Sequence, residues 1–96
     1  MDNRLYLIDL YDIYGNTLTE KQQEYFEDYY FNNYSLSEIS ENYNVSRNAI
    51  HKNIKDSENK LIYLENILKV YDKNKRIKEI IKNSNLEDEI TKIIEE

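Results

Sequence analysis

The side chains best suited to chemistry lie between positions 47 and 55: Arg47, Asn48, His51, Lys52 and Lys55. On a helix that begins after Ser46 they fall on the outward face near its N-terminus. Arg47 and Lys55 suit phosphates there, while Asn48 and His51 reach base edges, with asparagine matched to adenine. The chemistry in view is recognition of a nucleic acid, not the making or breaking of bonds. The plainer reading of Lys52, Lys55 and Lys60 is a solvated helix face, which Asp56 and Glu58 interrupt, and that of the lone His51 is an exposed polar residue.

Nothing else has the spacing that catalysis needs. One histidine and no cysteine exclude catalytic thiols, thiolate zinc sites and disulfides. Carboxylates remain. Asp9 and Asp12, and Glu87 with Asp88, come without histidine at ligand spacing, so no di-metal bundle motif forms. A single glycine cannot build a phosphate-cradling loop. Glu20 and Glu87 stand in first helical turns, where the helix dipole favours a negative charge. The expectation is a protein that is not an enzyme and takes no cofactor and no metal.

The elements that must position the recognition residues are helices. With no proline and one glycine, the strongest breakers are nearly absent. A first helix is expected over Arg4–Tyr14, apolar nearly all round and hence buried on more than one side. Gly15 then stops it in a left-handed C-cap. Thr19-Glu20-Lys21-Gln22 is a capping box opening a second helix. Its stripe of Tyr25, Phe26, Tyr29 and Tyr30 reads as core, because Glu24, Glu27 and Asp28 beside it do not suit a base-stacking platform. A second box, Ser35-Leu36-Ser37-Glu38, opens a short third helix that stops near Asn42. Asn44 suits the left-handed turn, Val45 is the buried turn residue, and Ser46 caps a long fourth helix.

That helix carries Ile50, Ile54, Ser57, Leu61, Leu64, Leu68 and Tyr71 at alternating spacings of four and three, a seam broken only by Ser57. Ile62, Ile67 and Val70 give its later half a second apolar side. Asp72-Lys73-Asn74-Lys75 reads as a break. A third capping box, Ser84-Asn85-Leu86-Glu87, opens a last helix with Ile90, Ile93 and Ile94. The fold class is thus all-α: a single helical domain over 1–96, a helix-turn-helix core at 35–60, and a helical tail at 73–96. Ala49, small and inward, lets the two core helices approach.

Charge qualifies the nucleic-acid reading. The net charge of −6 divides into −5 over residues 1–34, +3 over 35–82 and −4 over 83–96. A protein that grips a duplex usually carries a strong basic surplus. No apolar stretch approaches the ~18 residues needed to cross a membrane, and Met1-Asp2-Asn3-Arg4 does not open a signal peptide. No membrane insertion and a cytoplasmic location are expected.

Residues 10–65, through "YGNTLTEKQQEY" and "SLSEISENYNVSRNAIHKNIK" in order and spacing, resemble the YlxM family of small bacterial helix-turn-helix proteins. The helix-turn-helix portion is also similar to region 4 of sigma factors, which reads promoter DNA. The resemblance implies an all-helical, cytoplasmic, non-catalytic protein. It also implies a regulatory or accessory role with the signal recognition particle, inferred from genes that lie beside that of its GTPase. It carries over no binding residue. Three readings stand. The first is an accessory that meets the particle's protein or RNA. The second is a regulator of double-stranded DNA. The third is a helix-turn-helix used only for dimerisation or scaffolding. Leu61, Leu64, Leu68 and Tyr71, with Ile90, Ile93 and Ile94, are the apolar residues expected to build the core's edge or a homodimer. The tail closes over them in the same chain or crosses to a second one.

Overall fold

The computed structural model of the chain describes residues 3–82 and 87–95. Helix formation follows the caps. Thr19 Oγ1 accepts from the Gln22 N–H at 3.1 Å, and the Gln22 side chain accepts from the Thr19 N–H at 3.0 Å. Ser35 and Glu38 repeat the exchange at 3.1 and 3.0 Å. These reciprocal bonds satisfy N–H groups that the first turn of a helix leaves free. The third expected box, Ser84–Glu87, lies outside the described residues.

The chain is all-α. The elements are α1 (Asn3–Tyr14), a 3-10 turn (Gly15–Thr17), α2 (Glu20–Tyr30), α3 (Leu36–Tyr43), α4 (Arg47–Leu68), α5 (Val70–Ile80) and α6 (Glu87–Glu95), with no strand among the described residues. Helices α1, α2 and α3 pack around α4. The core joins Leu7, Leu10 and Tyr14 of α1, Leu18, Tyr25, Phe26 and Tyr30 of the α2 region, Ile39 of α3, and Ile50, Ile54 and Leu61 of α4. The aromatic stripe is core as expected: Phe26 stacks between Tyr11 and Tyr30, each at 4.4 Å between ring centroids. Arg4 closes the far end of α2, donating to the carbonyls of Tyr29 and Tyr30 at 3.1 and 2.7 Å and to Asn33 Oδ1 at 2.8 Å.

Three local expectations need correction. Gly15 takes no left-handed conformation. It is buried, and a Cβ there would meet the Tyr11 ring at 3.0 Å, so close approach is the reason for glycine. Ala49 is exposed: the inward line of α4 runs Ile50, Ile54, Ser57, Leu61, and Ala49 stands about 100° round the helix from Ile50. The first helix is covered on more than one side, as expected: Leu7, Leu10 and Tyr14 are buried and Tyr6, Ile8, Tyr11 and Ile13 pack half-buried against the core, while Leu5 is 68% exposed.

The third concerns the end of the long helix. Residues 72–75 lie inside α5, and the break falls at Lys69, left-handed at φ 55°. Its cause is a buried carboxylate. Glu65 Oε1 accepts from the Tyr14 hydroxyl at 2.7 Å and the Tyr71 N–H at 3.1 Å, and Oε2 accepts from the Asp72 N–H at 3.1 Å. The Val70 N–H donates to the Tyr14 hydroxyl at 3.2 Å. Three N–H groups that α5 leaves without helical partners are thereby satisfied, so a new helix starts where the old one would have continued. Leu61 is consequently core, Leu64 and Tyr71 are half-buried, and Leu68 is 48% exposed. Tyr71 meets Tyr6 edge-on at 5.3 Å. Helix α6 packs on α5 of the same chain, with Lys78 and Glu95 paired at 3.5 Å; Ile90 and Ile94 are half-buried and Ile93 is 67% exposed.

Candidate nucleic-acid interface

The turn between α3 and α4 fixes the start of α4. Asn44 is left-handed at φ 54°, which asparagine tolerates at small cost. The Val45 N–H donates to the Ser40 carbonyl at 3.1 Å, and the Ser40 hydroxyl donates back to the Val45 carbonyl. Val45 itself is half-buried against the core. Ser46 Oγ then accepts from the Ala49 N–H at 3.1 Å. Beneath this corner Ile39, Ile50 and Ile54 are buried. A rigid apolar wedge therefore holds the first turns of α4 with their outer side in solvent.

All five candidate residues, Arg47, Asn48, His51, Lys52 and Lys55, are exposed on those turns. Lys52 lies 2.9 Å from Asp56 and Lys55 3.5 Å from Glu58, four and three residues along the same helix. Exposed pairs of this kind contribute little and open readily to a competing anion. Arg47 has no ion pair among the described residues. His51 and Lys55 border a small cavity of about 120 Å³ that Tyr29, Tyr30, Leu36, Ile54 and Glu58 complete.

Two residues at this site escape a reading of the sequence. Glu58 accepts a hydrogen bond from the Tyr30 hydroxyl, tying α2 to α4 beneath Lys55. Burial first, and then that hydrogen bond, push the Tyr30 hydroxyl well above its usual range, so it remains a donor at any working pH. Tyr30 could be read only as the end of an aromatic stripe; its partner stands 28 positions away. The second opening in the surface is a groove of about 840 Å³ between α1, α5 and α6, with Ile13, Val70, Tyr71 and Ile94 among its walls. No helix among the described residues is long and apolar enough to cross a membrane.

A family model described as "Putative helix-turn-helix protein, YlxM / p13 like" matches residues 1–96. A UPF0122 protein of Malacoplasma penetrans is 51% identical, over 84% of this chain and 78% of that relative. One from Thermoanaerobacter sp. (strain X514) is 42% identical over 99% of this chain and 90% of its own length. The UPF0122 protein YlxM of Bacillus subtilis is 41% identical over 90% and 84%.

Proposed function

Since the chain belongs to the YlxM/p13-like helix-turn-helix family, we propose that it is a non-catalytic, cytoplasmic regulatory protein that recognises a nucleic acid through the first turns of α4. Double-stranded DNA is the target this geometry supports best. The observation that carries the reading is the exposed, capped start of α4, bearing Arg47, Asn48, His51, Lys52 and Lys55 over the buried Ile39–Ile50–Ile54 wedge. A helix so presented fits the major groove of B-form DNA, about 12 Å wide, and not the narrow major groove of an RNA duplex. On this reading 1–96 is one helical domain, 35–60 its recognition core and 73–96 a tail that supports pairing of two copies.

The test is binding of fluorescent duplex DNA by the parent and by a variant with Arg47, Lys52 and Lys55 all changed to alanine. Affinity should fall as salt rises, with a slope of about −0.9 for each phosphate contact, and the variant's slope should be shallower by the contacts it lacks. Equal affinity of parent and variant would reject this surface.

A second reading has an observation of its own. The net −5 over residues 1–34 repels a duplex and favours a basic protein partner. That fits an accessory of the signal recognition particle, meeting its protein or its RNA. Pull-down from native lysate separates the two readings: recovered particle components favour the accessory role, recovered DNA fragments the regulator.

A further inference from the structure

The first turns of α4 are not where its recognition surface has to end. Along the helix, Asn48, Lys52, Lys55, Asn59, Asn66 and Lys69 recur at the four-and-three spacing that keeps to one face, with Ile62 completing the series. Every one of these positions is exposed, and none is a carboxylate. The ridge spans the 22 residues of α4, about 33 Å at 1.5 Å per residue. This is close to one turn of B-form DNA, about 34–36 Å.

The ridge leads into the most basic part of the chain. Residues 69–82 hold six lysines and arginines against Asp72 and Glu79, in a protein of net charge −6. Arg76 pairs with Asp72 at 3.2 Å and Lys78 with Glu95 at 3.5 Å. Lys69, Lys73 and Lys75 are exposed and form no ion pair among the described residues. Lys69 caps the C-terminus of α4, where the helix dipole favours a cation, and is at the same time the N-cap of α5. Lys73 stands in the first turns of α5, where the dipole disfavours a cation, and it has no acidic partner among the described residues. A charge so placed points to an anion supplied from outside.

We propose that the DNA-contacting surface runs the whole length of α4 and into α5, so that Lys69 and Lys73 hold backbone phosphates about one helical turn away from the bases met at Asn48. The proposal rests on the reading of the α4 start as a DNA interface and extends it. The occupant is B-form duplex, because its major groove admits the start of α4, which that of an RNA duplex does not, and its turn matches the length of the ridge.

The test compares a variant carrying Lys69→Asn and Lys73→Gln with the parent, on duplexes shorter than one turn and of two turns. Asparagine suits the left-handed position, so the hinge is kept; a Lys73→Gln single variant leaves the hinge untouched. On the long duplex the double variant should show a salt slope shallower by about 1.8, two contacts at 0.9 each, and the single variant by half of that. On the short duplex neither should differ from the parent. Identical slopes on the long duplex overturn the extended surface while leaving the α4 start intact, provided the parent binds. Failure of the parent to bind either duplex removes both. Loss of binding by the variants to an RNA hairpin or to anionic vesicles, with DNA binding unchanged, also overturns the proposal.

Discussion

At the scale of single residues, the proposed recognition surface depends on side chains that never touch it. Ile50 is fully buried, in the same turn of α4 as the exposed Asn48 and His51, and it belongs to the core cluster with Ile39 and Ile54. Its removal leaves a void that the short α3 cannot collapse to fill. Ile50→Ala should therefore destabilise the protein by about 2–5 kcal/mol, read as a shift in the midpoint of urea denaturation at constant slope. A shift worth less than about 0.5 kcal/mol would place Ile50 outside a packed core. Glycine 15 obeys a related steric rule. What it supplies is room for the Tyr11 ring, and that ring in turn stacks on Phe26.

At the scale of elements, the caps explain what could be read from the chain and the hinge explains what could not. Thr19–Gln22, Ser35–Glu38, Asn44 and Ser46 act within four residues of themselves, so the starts of α2, α3 and α4 and the helix-turn-helix corner were legible. The end of α4 was not, because it is decided by Glu65 meeting Tyr14, 51 positions away. In sequence, Glu65 looks like one more polar residue in a helix. The only local sign is its place four residues after Leu61, on the line that continues inward. The candidate site was legible for the same reason as the caps: Arg47, Asn48, His51, Lys52 and Lys55 are exposed by a local corner, whereas Glu58 enters through a contact with α2. The hinge yields its own prediction. Lys69 in the left-handed region costs about 1–2 kcal/mol, offset by the bonds that Glu65 and Tyr14 give to α5. Glu65→Ala leaves the Tyr71 and Asp72 N–H groups and the Tyr14 hydroxyl without their acceptor, a loss of about 1–3 kcal/mol for each that stays buried. Hydrogen exchange should accelerate at residues 70–72 well before it does at 36–61. Unchanged protection at Tyr71 and Asp72 would mean that another group caps α5.

At the scale of the whole molecule, shape and surface together argue for two copies. The radius of gyration is 16.1 Å and the extents are 52 × 26 × 25 Å, against about 12.5 Å expected for a compact chain of this length. The elongation comes from α4 and α5 running on past the core, and it leaves apolar surface uncovered. Tyr63, Ile67 and Leu68 of α4 are 62%, 58% and 48% exposed, and Ile77 and Ile80 of α5 are 41% and 81% exposed. The tail does not cover them: α6 packs on α5 beside the groove that Tyr71 and Ile94 line, and Ile93 remains in solvent. Large contiguous apolar surface on a small protein usually marks an interface. A closed two-fold pairing would bury this strip against itself and set two α4 starts facing one duplex. The pairing residues would then be Leu68 and Ile93 from the set expected in the sequence, joined by Ile67, Ile77 and Ile80, while Leu61 and Leu64 serve the core of each copy. Sedimentation at micromolar concentration should give twice the chain mass of 11.7 kDa. Ile67→Lys and Ile80→Lys, both at exposed positions, should return it to the single mass with the helical circular dichroism unchanged. A parent that sediments as one chain at that concentration would show that this strip faces water or a different partner.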